Sequence, residues 1–224
     1  MSADNPKAVT IWGRLSFPCW TAQEAYDRNL RGTYPSKDVA SASPDFQLLI
    51  NDVQWEKFRK HAVDVFLPYC VEQDAKGEKR DSLTAAEVQQ LVTGLEGDLS
   101  AQVYNTPAKA VSEKSAEFAP EAVATIKVIG PKGGEIELKA IVQNEGELAV
   151  PDPDRLVFPV ILPINQSVHQ MYPGANVAVT LNLYAYHNGK HPGFSAGCNI
   201  AVFKSDNDRF GGGVSLDEEA MFLD

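Results

Sequence analysis

Cysteine is scarce in this 224-residue chain: Cys19, Cys70 and Cys198 are odd in number, far apart, and include no C-x-x-C pair. A disulfide framework and a cysteine-rich zinc site are therefore excluded, and the three thiols read as packing residues in a reducing compartment. Long apolar runs are missing as well. Nothing approaches the roughly 20 residues that a bilayer-spanning helix needs. The opening MSADNPKAV lacks the charged-then-apolar order of a secretion signal, so a cytoplasmic protein with no membrane partner is expected. The motifs of hydrolytic chemistry are also absent. There is no G-x-S-x-G elbow and no H-E-x-x-H pair, and the loop Gly130-Pro131-Lys132-Gly133-Gly134 lacks the G-K-[ST] ending of a phosphate-binding loop. His187 and His191 stand at H-x3-H spacing, but a glycine-containing turn separates them and no third ligand has motif spacing. No enzyme, metal or cofactor is expected.

Basic charge is in short supply too. Twenty Lys and Arg face thirty Asp and Glu, a formal net charge of −10 with a pI near 4.9, which taken whole argues against a polyanionic partner. The distribution changes that reading. Residues 1–71 carry eight acids and eight bases and residues 122–205 carry six of each, whereas residues 72–121 carry ten acids against five bases and residues 206–224 six against one. The excess sits in the middle segment and the extreme C-terminus, so a neutral remainder is free to hold a local basic groove.

What is present is a core-forming composition, 44% hydrophobic with a mean hydropathy of −0.23, and several strand-like patterns. Val9–Phe17 alternates, with Val9, Ile11, Leu15 and Phe17 on one face and Thr10, Trp12, Arg14 and Ser16 on the other, the period of a half-buried strand that presents Trp12 and Arg14 outward. Thr21–Ser43 is polar, with Gly32 and Pro35, and reads as a long loop containing Tyr34. Phe46–Ile50 is a second strand. Asn51 or Asp52 caps a helix through Trp55, Phe58, Ala62, Val65 and Phe66, with Pro68 at its end.

Residues 72–121 read as a helical excursion, with Thr84 and Glu87 forming a capping box before Val88, Leu91, Val92 and Leu95. Ala122–Ile129 and Glu135–Gln143 flank the glycine-rich loop as a hairpin. Asn176–His187 is the clearest strand, placing Tyr184 and Tyr186 on its polar face, and Phe194–Lys204 is its partner with Ala196, Cys198, Ile200 and Val202 inward. The expected architecture is mostly β, a small antiparallel barrel of about five to seven strands with inserted α-helices.

Outward aromatics beside cations suit single-stranded nucleic acid, since every base offers a π-face and every phosphate a charge to neutralise. Trp12, Tyr184 and Tyr186 are the candidate platforms, Arg14, Lys190 and Lys204 the candidate cations, and Tyr34 and Phe203 weaker stacking candidates. The same aromatics would equally serve to pack an added helix or an interface between copies. The terminal DNDRFGGGVSLDEEAMFLD reads either as a solubilising tail or as one whose Asp217, Glu218, Glu219 and Asp224 compete with phosphate while Phe222 anchors it.

Several stretches carry a resemblance: Tyr172-Pro173-Gly174, Asn182-Leu183-Tyr184-Ala185-Tyr186, Gly193-Phe194-Ser195-Ala196-Gly197-Cys198-Asn199 and Asp208-Arg209-Phe210-Gly211-Gly212-Gly213. Together with the opening strand through Phe17-Pro18 and the Phe46-to-helix segment, they resemble the single-stranded DNA-binding proteins of tailed bacteriophages. The resemblance implies an OB-fold-like domain, here over residues 1–205, and a flexible acidic C-terminal tail over 206–224; the helical insertion at about 72–121 is read from the residues and departs from that family. The resemblance further implies that the protein coats exposed single-stranded DNA in phage replication, recombination or repair, in the host cytoplasm, with replisome proteins as partners of the tail. A phage structural or assembly module that buries its aromatics against copies of itself, and an RNA-binding module, stay open as alternatives, as does a homo-oligomer.

Overall fold

The computed structural model describes residues 5–30, 36–101, 105–140, 160–161, 171–188, 191–205, 207 and 210. The first strand, β1 (Ala8–Cys19), buries Val9, Ile11 and Leu15 as its alternation requires, then departs from it: Gly13, Arg14 and Ser16 are buried too, and Phe17 is 62% exposed. Gly13 sits so close to the next strand, β2 (Asp45–Ile50), that a Cβ would come within 2.6 Å of the Leu49 carbonyl oxygen. Farther along, the pairing with β2 shifts register between Ser16 and Cys19, with Phe17 at φ 48 in the left-handed region. Such a bulge turns the following side chain over, and the expectation of an inward Phe17 is corrected accordingly.

The expected loop over Thr21–Ser43 instead holds a helix, α1 (Ala22–Asn29), opened by a Thr21–Glu24 capping box, and a 3-10 turn at Val39–Ser41 capped by Asp38. Asn51 caps α2 (Asp52–His61), accepting from the Gln54 N–H. Pro68 does not end that helix. A π-helical turn at Ala62–Phe66 carries the chain into α3 (Leu67–Ala75), and Pro68 occupies its first turn, where the wider π geometry tolerates a missing N–H. Phe58, Ala62, Phe66, Leu67 and Cys70 form the buried stripe. Beyond it come α4 (Ala85–Glu96), with the Thr84–Glu87 box in place, the two-residue strand β3 (Ala108–Lys109) and α5 (Glu113–Phe118).

The remaining strands are β4 (Ala124–Ile129), β5 (Glu137–Ala140), β6 (Val160–Ile161), β7 (Asn176–Asn188), β8 (His191–Gly197) and β9 (Ile200–Ser205). Going round the molecule, β1 pairs with β2, β2 with β4, β4 with β8, β8 with β7, and β7 again with β1; all pairs are antiparallel except β4–β8. This ring of five strands is a closed OB-like barrel, as expected from the sequence. Strands β9, β5 and β6 extend outward from β7, and β3 lies on β4.

Two strand expectations are corrected. β4 and β5 do not form a hairpin, because the glycine-rich loop between them docks elsewhere: the Gly130 N–H donates to the Pro44 carbonyl, the Gly133 N–H to Ala42 and the Ile136 N–H to Trp20. β5 then pairs in parallel with β9. The run Phe194–Lys204 is two strands rather than one. It breaks at Cys198-Asn199, and past the break the inward phase flips, so that Ala201 and Phe203 are buried while Ile200 and Val202 are half-buried. Helix α2 packs on β1 and β2, α3 on α4, and α4 on β8, with the Phe66 and Phe194 rings 5.6 Å apart. All three cysteines are buried, and burial pushes the Cys70 thiol up to about 12 and the Cys198 thiol up to about 11. These are packing thiols, not nucleophiles.

Candidate nucleic-acid interface

On the outer face of β2 and β4, Leu49 and Thr125 are buried, whereas Gln47 is half-buried and Lys127 exposed. Gln47 on β2 faces Lys127 on β4, and β3 adds Lys109 opposite Thr125. Around these residues four clefts share walls. One of about 730 Å³ lies between Tyr186 and Ser195 of the β7–β8 hairpin on one side and Lys109 and Lys127 on the other. It continues through Lys109, Ser112 and Lys127 into a second, of about 290 Å³, beside Phe17 and Gln47, and then into a third, of about 420 Å³, beside Arg28 and Asp45. Phe17, Ser112 and Ser115 join the second to a fourth, of about 260 Å³, walled by Phe118, Pro173 and Phe210. The result is one trough crossing the strands.

Its electrostatics oppose those of the whole chain. Arg28, Lys109, Lys114 and Lys127 line it, and Asp45 is the one acid among the described lining residues. Asp45 is bracketed by the Arg28 guanidinium and by the Lys127 ammonium at 3.3 Å. A surface of this kind attracts phosphate locally whatever the global charge, because charges beyond about 10 Å are screened at ordinary salt.

Tyr186 sits in the trough, half-buried. Burial pushes its phenol up, while the hydrogen bond with Ser195 acts in the opposite direction. Tyr184, 38% exposed, is two residues away on the same outer face of β7. Between them the Ala185 N–H donates at 3.1 Å to Asp81 Oδ1. Asp81 is buried in the α3–α4 connection, stands at φ 60, and takes the Lys7 ammonium on its other oxygen.

The other expected residues scatter. Trp12 and Lys204 meet on a different outer face, formed by β1, β7 and β9: the Lys204 ammonium lies 3.5 Å from the indole centroid, and desolvation lowers its pKa. Thr10 and Thr180 share a 2.9 Å hydroxyl hydrogen bond on that face. Arg14 is on the outer side of β1 but covered, and its placement as an exposed cation is corrected. Its side chain donates to the Gly174 and Phe118 carbonyls, reaches Glu121 at 3.7 Å, and stacks 4.5 Å from the Phe210 ring centroid. Phe203 is 2% exposed and leaves the stacking candidates. Lys190, Tyr34, Asp217, Glu218, Glu219, Phe222 and Asp224 lie outside the described residues.

Sequence reasoning missed Phe17, Arg28, Lys109 and Lys127. The Thr21–Glu24 capping box was a readable signal for the helix that carries Arg28. Lys109 had none, since a two-residue strand is too short to show a period. Among the described residues no three His, Cys, Asp or Glu side chains cluster as a metal site, and no helix is long and apolar enough to cross a membrane.

No family model matches the chain, and no curated protein matches its sequence. Among solved structures it is similar to the single-stranded DNA-binding protein from bacteriophage Enc34, at 12% identity over 96% of this chain and 90% of that one, with a TM-score of 0.46. The same protein in complex with ssDNA is matched at 12% identity over 92% and 90%, with a TM-score of 0.47. The chain is also similar to gp2.5, a single-stranded DNA-binding protein encoded by bacteriophage T7, at 12% identity over 97% and 95%, with a TM-score of 0.43.

Proposed function

We propose that this protein binds single-stranded DNA along the β2–β4 trough and coats exposed strands with little sequence preference, in the setting of phage DNA replication, recombination or repair, as a binding protein rather than an enzyme. The observation that carries this reading is the trough itself: four bases against one acid, with Phe17 and Tyr186 in its walls, in a chain whose net charge is −10. The outer face of the second and third ring strands is also where OB barrels take oligonucleotides. Each base stacked on an aromatic ring is worth about 1–3 kcal/mol, and the cations neutralise phosphates along the backbone. Stacking is tolerant of sequence because all four bases have a π-face. Tyr184 continues the path from Tyr186, and the Trp12–Lys204 pair offers a second patch to a longer strand.

Fluorescence anisotropy with labelled single-stranded DNA, duplex and RNA in parallel tests the proposal. Binding is expected for single-stranded DNA, with a slope of log affinity against log salt of about −2 to −3 for three or four neutralised phosphates, and Lys127→Ala should reduce that slope by about 0.7. Absence of binding together with a large homo-oligomer would return the assembly-module reading. Preference for RNA would return the RNA-binding one.

A further inference from the structure

Phe17 combines two unfavourable features. Its backbone is in the left-handed region, φ 48, which crowds the Cβ of any L-residue and which glycine adopts without strain. Its ring is 62% exposed, so the strain is not offset by burial. The conformation sits in a constrained setting: Phe17 lies within the register shift against β2 between Ser16 and Cys19, Pro18 follows, and the Phe17 carbonyl accepts from the Arg28 guanidinium at 3.4 Å. A strained residue whose side chain is mostly exposed points to a use.

The ring forms part of the wall of three of the four clefts, including the most apolar one. Across that cleft the Phe118 and Phe210 rings lie 5.7 Å apart at 42°. Behind them the buried Arg14 donates to the Phe118 carbonyl and stacks on Phe210, bracing the far wall. Ser16, Ser112 and Ser115 supply hydroxyls to the lining, and Lys114 supplies a cation.

We propose that this cleft is a slot for one unpaired nucleobase. Phe17 acts as the wedge: a strand lying in the trough turns one base past the Phe17 ring into the space before Phe118 and Phe210, and Lys114 meets the adjoining phosphate. The occupant is argued from the slot's continuity with the cation-lined trough through Phe17, Ser112 and Ser115. A paired base cannot turn out without breaking its pair, so the slot favours single strands over duplex. The inference rests on the single-stranded DNA reading above.

Phe17→Gly separates function from stability, because it removes the ring and relieves the backbone together. The variant is expected to unfold at or above the wild-type temperature while binding single-stranded oligonucleotide about five- to a hundredfold more weakly. Phe17→Trp is expected to keep the affinity, and its additional indole emission, measured against the wild type, to be quenched as oligonucleotide is added. Wild-type affinity in Phe17→Gly overturns the slot. So does a Phe17→Trp protein that binds without quenching of the added indole, which decides the matter even if the glycine variant folds poorly. If the wild type itself binds no oligonucleotide, the single-stranded DNA reading has failed; if the wild type binds and the glycine variant binds equally, the slot alone has failed.

Discussion

Asp81 shows how much one side chain can organise in this molecule. It is buried, it stands in a backbone region that Asn and Asp tolerate better than most residues, and its two oxygens serve the Lys7 ammonium and the Ala185 N–H. β1 stops pairing with β7 at Asn182, so without Asp81 the β7 edge beyond it would leave an amide unsatisfied between Tyr184 and Tyr186. Asp81→Ala is expected to lower stability by about 2–3 kcal/mol in urea unfolding, and Asp81→Asn, which keeps an acceptor and the backbone preference, by less. If both stay within about 0.5 kcal/mol of wild type, the clasp contributes nothing measurable. At this scale the sequence was partly readable. Tyr184 and Tyr186 face outward as their alternation indicated, but Arg14 shares that outward parity and is covered by Phe118, Gly174 and Phe210, which come from distant parts of the chain. Alternation reports which side of a sheet a residue takes, not what later packs on that side.

Among the elements, local chemistry was legible and partnership was not. The Thr84–Glu87 box, the Asn51 cap and the β7–β8 hairpin are all set by residues within a few positions of one another. The loop Gly130–Gly134 looks like a hairpin turn for the same reason, yet it is fixed by Ala42 and Pro44 and sends β5 to β9. At Gly133 within that loop φ is 67, and a Cβ would come within 2.9 Å of the Ala40 carbonyl oxygen. Gly133→Ala is therefore expected to cost about 1–2 kcal/mol, read by thermal unfolding. An unchanged melting temperature would mean that the Val39–Ser41 turn shifts freely. The π turn before Pro68 was equally invisible, since a five-residue π segment leaves no period of its own in the sequence and Pro68 reads as a helix end.

For the whole molecule, charge placement matters more than charge sum. The described lining of the trough is basic, whereas residues 206–224 hold six acids and one base. If those acids compete for the trough, a chain ending at Gly213 should bind single-stranded DNA more tightly than the full chain at low salt, and the difference should shrink as salt rises. Equal affinities across the salt series would leave the terminal segment a solubiliser.

The seam between β1 and β7 has a consequence for how the protein comes into being. Residues 8–14 meet their β7 partners only at residues 176–182, so a ribosome exposes this edge of β1 long before its complement emerges. Ring closure is then the late event, on the millisecond-to-second scale of chains whose contacts are distant in sequence. Until it happens the young polypeptide is vulnerable to sticking to its siblings, which makes slow, cool expression the sensible regime and internal truncation a poor way to shorten it.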